Sequence, residues 1–134
     1  MKARFLLGVL AYVVPTFPLG YAWHLVLFGD YYRALQIYRD ELIIPFGVIS
    51  MVIQGLVWSW LYSRLFAQEK PVAGACKFAA LAFPLAWTYL VLVVAAKHHM
   101  ASVPDFMLIE TAFTGVQFLI VSPLLALAFS ARRA

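Results

Sequence analysis

Four long apolar stretches alternate with short polar ones along this chain, and its charged residues gather where the apolar stretches end. The apolar runs extend from about Phe5 to Phe28, Leu42 to Phe66, Phe78 to Ala96 and Phe106 to Ser130. A helix rising 1.5 Å per residue needs about 20 such residues to cross the hydrocarbon of a bilayer. None of the runs shows sustained apolar–polar alternation punctuated by turns, so the pattern does not suit a β-barrel. It predicts an all-α integral membrane protein, a four-helix bundle forming one transmembrane domain over residues 1–134.

Every span carries proline: Pro15 and Pro18, then Pro45, Pro84 and Pro123. Proline removes a backbone donor and crowds the carbonyl four residues earlier, a defect that neighbouring helices can repair in lipid. Pro45 falls near a helix start, where it costs little. Bends are expected at Pro18, Pro84 and Pro123. The first span has some features of a signal peptide, with Lys2 and Arg4 ahead of the apolar run and Gly20-Tyr21-Ala22 as a small-x-small site. The run continues to Phe28, however, and Tyr21 and Trp23 flank the supposed cut, so a retained span is expected.

Composition strengthens the membrane reading. Of 134 residues, 65% are hydrophobic and 12% charged, about half the charged share of a soluble domain. So short a chain has too little interior to hide that much apolar surface from water. The net charge of +4 does not point to nucleic acid, because the basic residues cap apolar runs instead of sharing one soluble face. With the N-terminus inside, Lys2, Arg4, Arg64, Lys70, Lys77, Arg132 and Arg133 are cytoplasmic, against Arg33, Arg39 and Lys97 outside. Seven against three follows the positive-inside rule. Both termini are therefore expected in the cytoplasm, in a bacterial inner membrane. The lone cysteine, Cys76, forms no intramolecular disulfide and is expected to be inert.

Two pairs of segments align as an internal repeat would, although apolar segments also match by chance. Phe17-Pro18-Leu19-Gly20-Tyr21-Ala22-Trp23 aligns with Phe83-Pro84-Leu85-Ala86-Trp87-Thr88-Tyr89, and Gln54-Gly55-Leu56-Val57-Trp58-Ser59 with Gln117-Phe118-Leu119-Ile120-Val121-Ser122. Such a match describes a duplicated helical hairpin whose copies share one orientation about an axis along the membrane normal. Between the first two spans, Tyr31, Leu35 and Tyr38 fall on one helical face, and Asp30 is placed to cap it. Residues 30 to 40 are expected to form a short interfacial helix in the first outer loop. The stretch from Ala67 to Lys77 contains Pro71 and Gly74 and is expected to be a turn.

The polar residues inside the spans carry the chemistry. Thr16, Gln54, Thr88 and Gln117 fall near the bilayer midplane and form an intramembrane polar layer. Cross-helix hydrogen bonds between such groups give about 0.6 kcal/mol each and up to about 2. They read as a clamp between helices, or as a polar stripe along a substrate path. Gly55, Ser59 and Ser63, and Thr111 and Gly115, form small-residue ridges suited to close helix packing.

All three histidines fall at the outer end: His24 near the end of the first span, His98 and His99 after the third. Glu110 lies about one turn inside the fourth. Ionisable residues within a span are costly and normally face a partner or a cavity. Three uses are open: a structural His24–Glu110 pair; a metal site of His24, His98 or His99, and Glu110, whose donors suit zinc, iron or copper; or a proton relay or headgroup-binding site, with Arg33 and Arg39 nearby. The spacing matches no recognised metal motif. The aromatic residues at the two boundaries form an ordinary belt, and nothing singles out a quinone or haem among cofactors.

The segments Phe17–His24, Asp30-Tyr31-Tyr32, Ile44-Pro45-Phe46-Gly47 and Ile109-Glu110-Thr111-Ala112-Phe113 resemble those of small four-span proteins of bacterial inner membranes that have no assigned activity. The resemblance implies topology and no mechanism. The leading expectation is a non-enzymatic protein, an accessory subunit or one related to transport, with its working site at the outer face and the lipid bilayer as its first partner. A transport path through so small a chain implies a homo-oligomer. A metal- or quinone-dependent membrane enzyme acting near that face, and a purely structural partner of a larger membrane complex, are the alternatives.

Overall fold

The computed structural model describes residues 2–130, which are helical apart from short connections and contain no strand. Arg132 and Arg133 lie outside the described residues. Helix α1 spans Lys2–Tyr21 and runs directly into a π-helical segment, Ala22–Leu27. A short α2 follows at Gly29–Leu35, then α3 at Ile44–Leu65 and α4 at Pro71–Trp87. A second π segment, Thr88–Leu92, and α5, Val93–Lys97, extend α4; α6 is Val103–Ser130. Four of these units are long and apolar enough to cross a membrane: Lys2–Leu27, Ile44–Leu65, Pro71–Lys97 and Val103–Ser130. They are compatible with a multi-pass membrane protein.

The third of them starts seven residues before the expected Phe78, and the expected turn over Ala67 to Lys77 is largely helix. Pro71 explains this: its fixed φ suits the first helical position, where its missing N–H costs nothing. Gly74 lies buried within that helix because the Tyr62 hydroxyl occupies the space a Cβ would need. Expected bends at Pro18 and Pro84 take the form of π segments beginning four residues after each proline. Pro123, by contrast, lies within one uninterrupted helix.

In packing order the long helices run α3, α1, α6, α4, with α1 and α6 at the centre. Between α3 and α4 contact is largely confined to rings, where Trp58, Tyr62 and Phe66 surround Phe78. These rings, with Tyr12, Phe118, Leu125 and Phe129, form the core of the half near the start of α1. That half also bears Lys2, Arg4, Arg64, Lys70 and Lys77, and is here termed the basic end. A smaller core of Tyr32, Leu35, Phe106 and Ile109 closes the opposite, histidine end. At the histidine end the start of α3 stands apart from its neighbours: every residue from Glu41 to Ser50 is exposed.

The expected helix over residues 30 to 40 is shorter and differently turned. It ends at Leu35, because Gln36 adopts a left-handed conformation with φ of 58°. Asp30 is not its cap; Phe28 holds that position without a side-chain bond, and Asp30 pairs with Arg33 on the surface. The buried face is Tyr32 and Leu35, while Tyr31 points out.

Candidate functional site at the histidine end

The first π segment sets this site. A π turn carries one extra residue, which rotates later side chains away from the face that α periodicity assigns them. Trp23 and His24 thereby face α6 and α2. His24 Nδ1 lies 2.9 Å from the Gly20 carbonyl oxygen, and Nε2 lies 3.1 Å from Glu110 Oε1. A carbonyl only accepts, so Nδ1 carries hydrogen. Bonding at Nε2 then places one proton between imidazole and carboxyl. The pair is either a neutral imidazole accepting from a carboxylic acid or an imidazolium donating to a carboxylate. In both forms its net charge is zero, which makes burial of two ionisable groups tolerable.

Aromatic rings flank the pair and leave the His24 side chain partly exposed. Phe113 meets the His24 ring edge-on at 4.4 Å between centroids, and Tyr32 lies 4.8 Å away on another side. Tyr38 stacks on Tyr32 at 5.3 Å, with 5° between their planes. Trp23 packs against Phe28 and Phe113. Two bonds hold α2 in place over these rings. The Ala101 amide donates to the Leu35 carbonyl at 2.9 Å, and the Tyr31 hydroxyl donates to the Asp105 carbonyl at 3.3 Å. Glu110 is only 8% exposed.

Two further donors lie inside this enclosure. The Tyr32 hydroxyl and Trp23 Nε1 are both buried. Burial pushes the Tyr32 pKa far above the ordinary tyrosine value, and the neighbouring Glu110 carboxyl pushes it further. The same two causes, in the same order, raise Tyr38. Both phenols therefore keep their protons. The Tyr32 hydroxyl interacts with both the Glu110 carboxyl and Trp23, so the phenol and the indole belong to the surroundings of the His24–Glu110 pair.

The other outer residues do not join this site. His98 and His99 are exposed. Among the described residues no group of three or more His, Cys, Asp or Glu side chains is placed to hold a metal ion. Arg33 is occupied with Asp30, and Arg39 lines a surface hollow with Asp40, Glu41 and Pro45. The polar layer is joined in part. Tyr12 donates to Gln54 Oε1, and Gln117 Nε2 donates to the Tyr12 hydroxyl at 3.1 Å and to Thr16 Oγ1 at 3.5 Å. Thr88 is exposed and bonds the Leu85 carbonyl of its own helix. The chain matches no family model, no curated protein and no solved structure.

Proposed function

We propose that this chain is a non-enzymatic, four-span bacterial inner-membrane protein, an accessory subunit of a transport-related assembly, whose working element is the proton held between His24 and Glu110. The observation that carries the reading is the pair itself. One imidazole nitrogen is committed to Gly20, the other faces a buried carboxyl, and the buried Tyr32 hydroxyl and Trp23 Nε1 stand beside it. A proton-holding pair flanked by aromatic rings, with His24 still partly exposed, supports a responsive element that exchanges its proton with the medium. Positive-inside counting puts it at the outer face. The intramembrane layer supports a clamp over a path, because Tyr12, Gln54, Gln117 and Thr16 satisfy one another. Duplication of a hairpin accounts for the two π segments beginning at matching positions after Pro18 and Pro84.

Infrared difference spectra, recorded in liposomes as the bulk pH is stepped, test the central claim. A carboxyl band should appear in the wild type, vanish in Glu110→Gln and shift in Tyr32→Phe. Identical spectra for wild type and Glu110→Gln would show that Glu110 exchanges no proton, and the reading would fall.

A further inference from the structure

A second polar feature lies at the opposite end of the molecule and is independent of the histidine site. A cavity of about 540 Å³ opens between the start of α1, the end of α3 and the end of α6. Among the described residues, three basic ones line it, Lys2, Arg4 and Arg64, and no acidic one does. None of the three takes part in an ion pair among the described residues; the nearby Lys77 and Glu69 neutralise each other at 2.6 Å. Arg4 Nη2 is buried and has no hydrogen-bond partner. The rest of the wall is largely apolar, with Phe5, Trp60 and Phe129. Trp60 is also exposed on the outside of α3, so the cavity continues into the surface that faces lipid chains.

We infer that this cavity binds the phosphate of an anionic phospholipid from the cytoplasmic leaflet. Guanidinium groups match phosphate oxygens through paired donors. The buried Arg4 nitrogen is an unmet donor of the kind such an anion satisfies. Three positive charges with no ion pair among the described residues, on the start of α1 and the end of α3, form a basic pocket of the type that recognises acidic headgroups. The first-turn amides of α1 add to the positive field. An aromatic and aliphatic wall leading from that pocket to the lipid surface accommodates glycerol and the first acyl methylenes, which a soluble phosphate lacks.

Native mass spectrometry of the full chain, released from detergent with equal amounts of phosphatidylglycerol and phosphatidylcholine, tests this. Phosphatidylglycerol should be retained in preference. Each basic residue near a membrane surface contributes about fivefold to anionic-lipid binding. Retention should therefore weaken about fivefold in Arg64→Gln, which alters only an exposed side chain, and about 25-fold in Arg4→Gln/Arg64→Gln. Arg33→Gln/Arg39→Gln, which removes the same charge at the other end, should leave retention unchanged. Equal retention of the two lipids, unchanged retention in Arg64→Gln, or equal loss in the Arg33/Arg39 variant would overturn the assignment. Displacement of the lipid by inorganic phosphate at matching concentration would equally overturn it, in favour of a soluble anion.

Discussion

Tyr12 is the hub of the intramembrane hydrogen bonds, accepting from Gln117 and donating to Gln54. Tyr12→Phe leaves both amides short of a partner. It should lower stability by about 0.6 to 2 kcal/mol, read as resistance to sodium dodecyl sulfate in mixed micelles. Thr88→Val should change nothing there, since Thr88 bonds only its own helix. The sequence made Gln54, Gln117 and Thr16 legible because polar atoms stand out in apolar runs. It hid Tyr12, whose ring is as apolar as its surroundings and whose hydroxyl acts only once α1 and α6 are side by side. The His24–Glu110 pair was legible for a related reason: two ionisable groups at similar depth have few alternatives to each other. The Tyr32 and Trp23 donors beside the pair were not, because both read as ordinary boundary aromatics until the π segment fixes where Trp23 points.

At the scale of elements, proximity to proline governs what the chain revealed. The four apolar runs gave the long helices, yet the start of α4 was misplaced because Pro71 and Gly74 signal a turn in isolation and a helix start in context. Likewise, the face of α2 was assigned to Tyr31 when tertiary packing selects Tyr32. Close approach of α1 and α3 depends on Gly8 as well as on the predicted Gly55 and Ser59 ridge. A Cβ at Gly8 would collide with Ser59 Oγ and lie 2.8 Å from Phe129 Cε2. Gly8→Ala should therefore cost about 1–3 kcal/mol through overpacking, measured in the same micelle assay, whereas Gly47→Ala, with open space around it, should be neutral. The exposed half of α3 bears on the accessory role. A photo-crosslinking residue at Ile49 should trap a discrete protein adduct in native membranes, and one at Leu119, an exposed position on α6, should not. Equal labelling of the two positions, by lipid alone, would remove the argument for a partner at α3.

For the whole molecule the decisive quantity is the distribution of Lys and Arg between the two ends. Among the described residues five stand at the basic end, Lys2, Arg4, Arg64, Lys70 and Lys77, and three at the histidine end, Arg33, Arg39 and Lys97. That bias predicts the basic end in the cytoplasm. It also places the His24–Glu110 proton near the outer medium and the arginine-lined cavity against the anionic inner leaflet, so one orientation serves both sites. Cys76 is the lone cysteine, and a Cys76→Ala background permits single-cysteine labelling. In intact spheroplasts a membrane-impermeant maleimide should label His99→Cys and fail to label Lys70→Cys until the membrane is opened. The reverse pattern would turn the molecule over. The proton-holding pair would then face the cytoplasm and the basic cavity the opposite leaflet, where the charge argument for an acidic headgroup no longer applies.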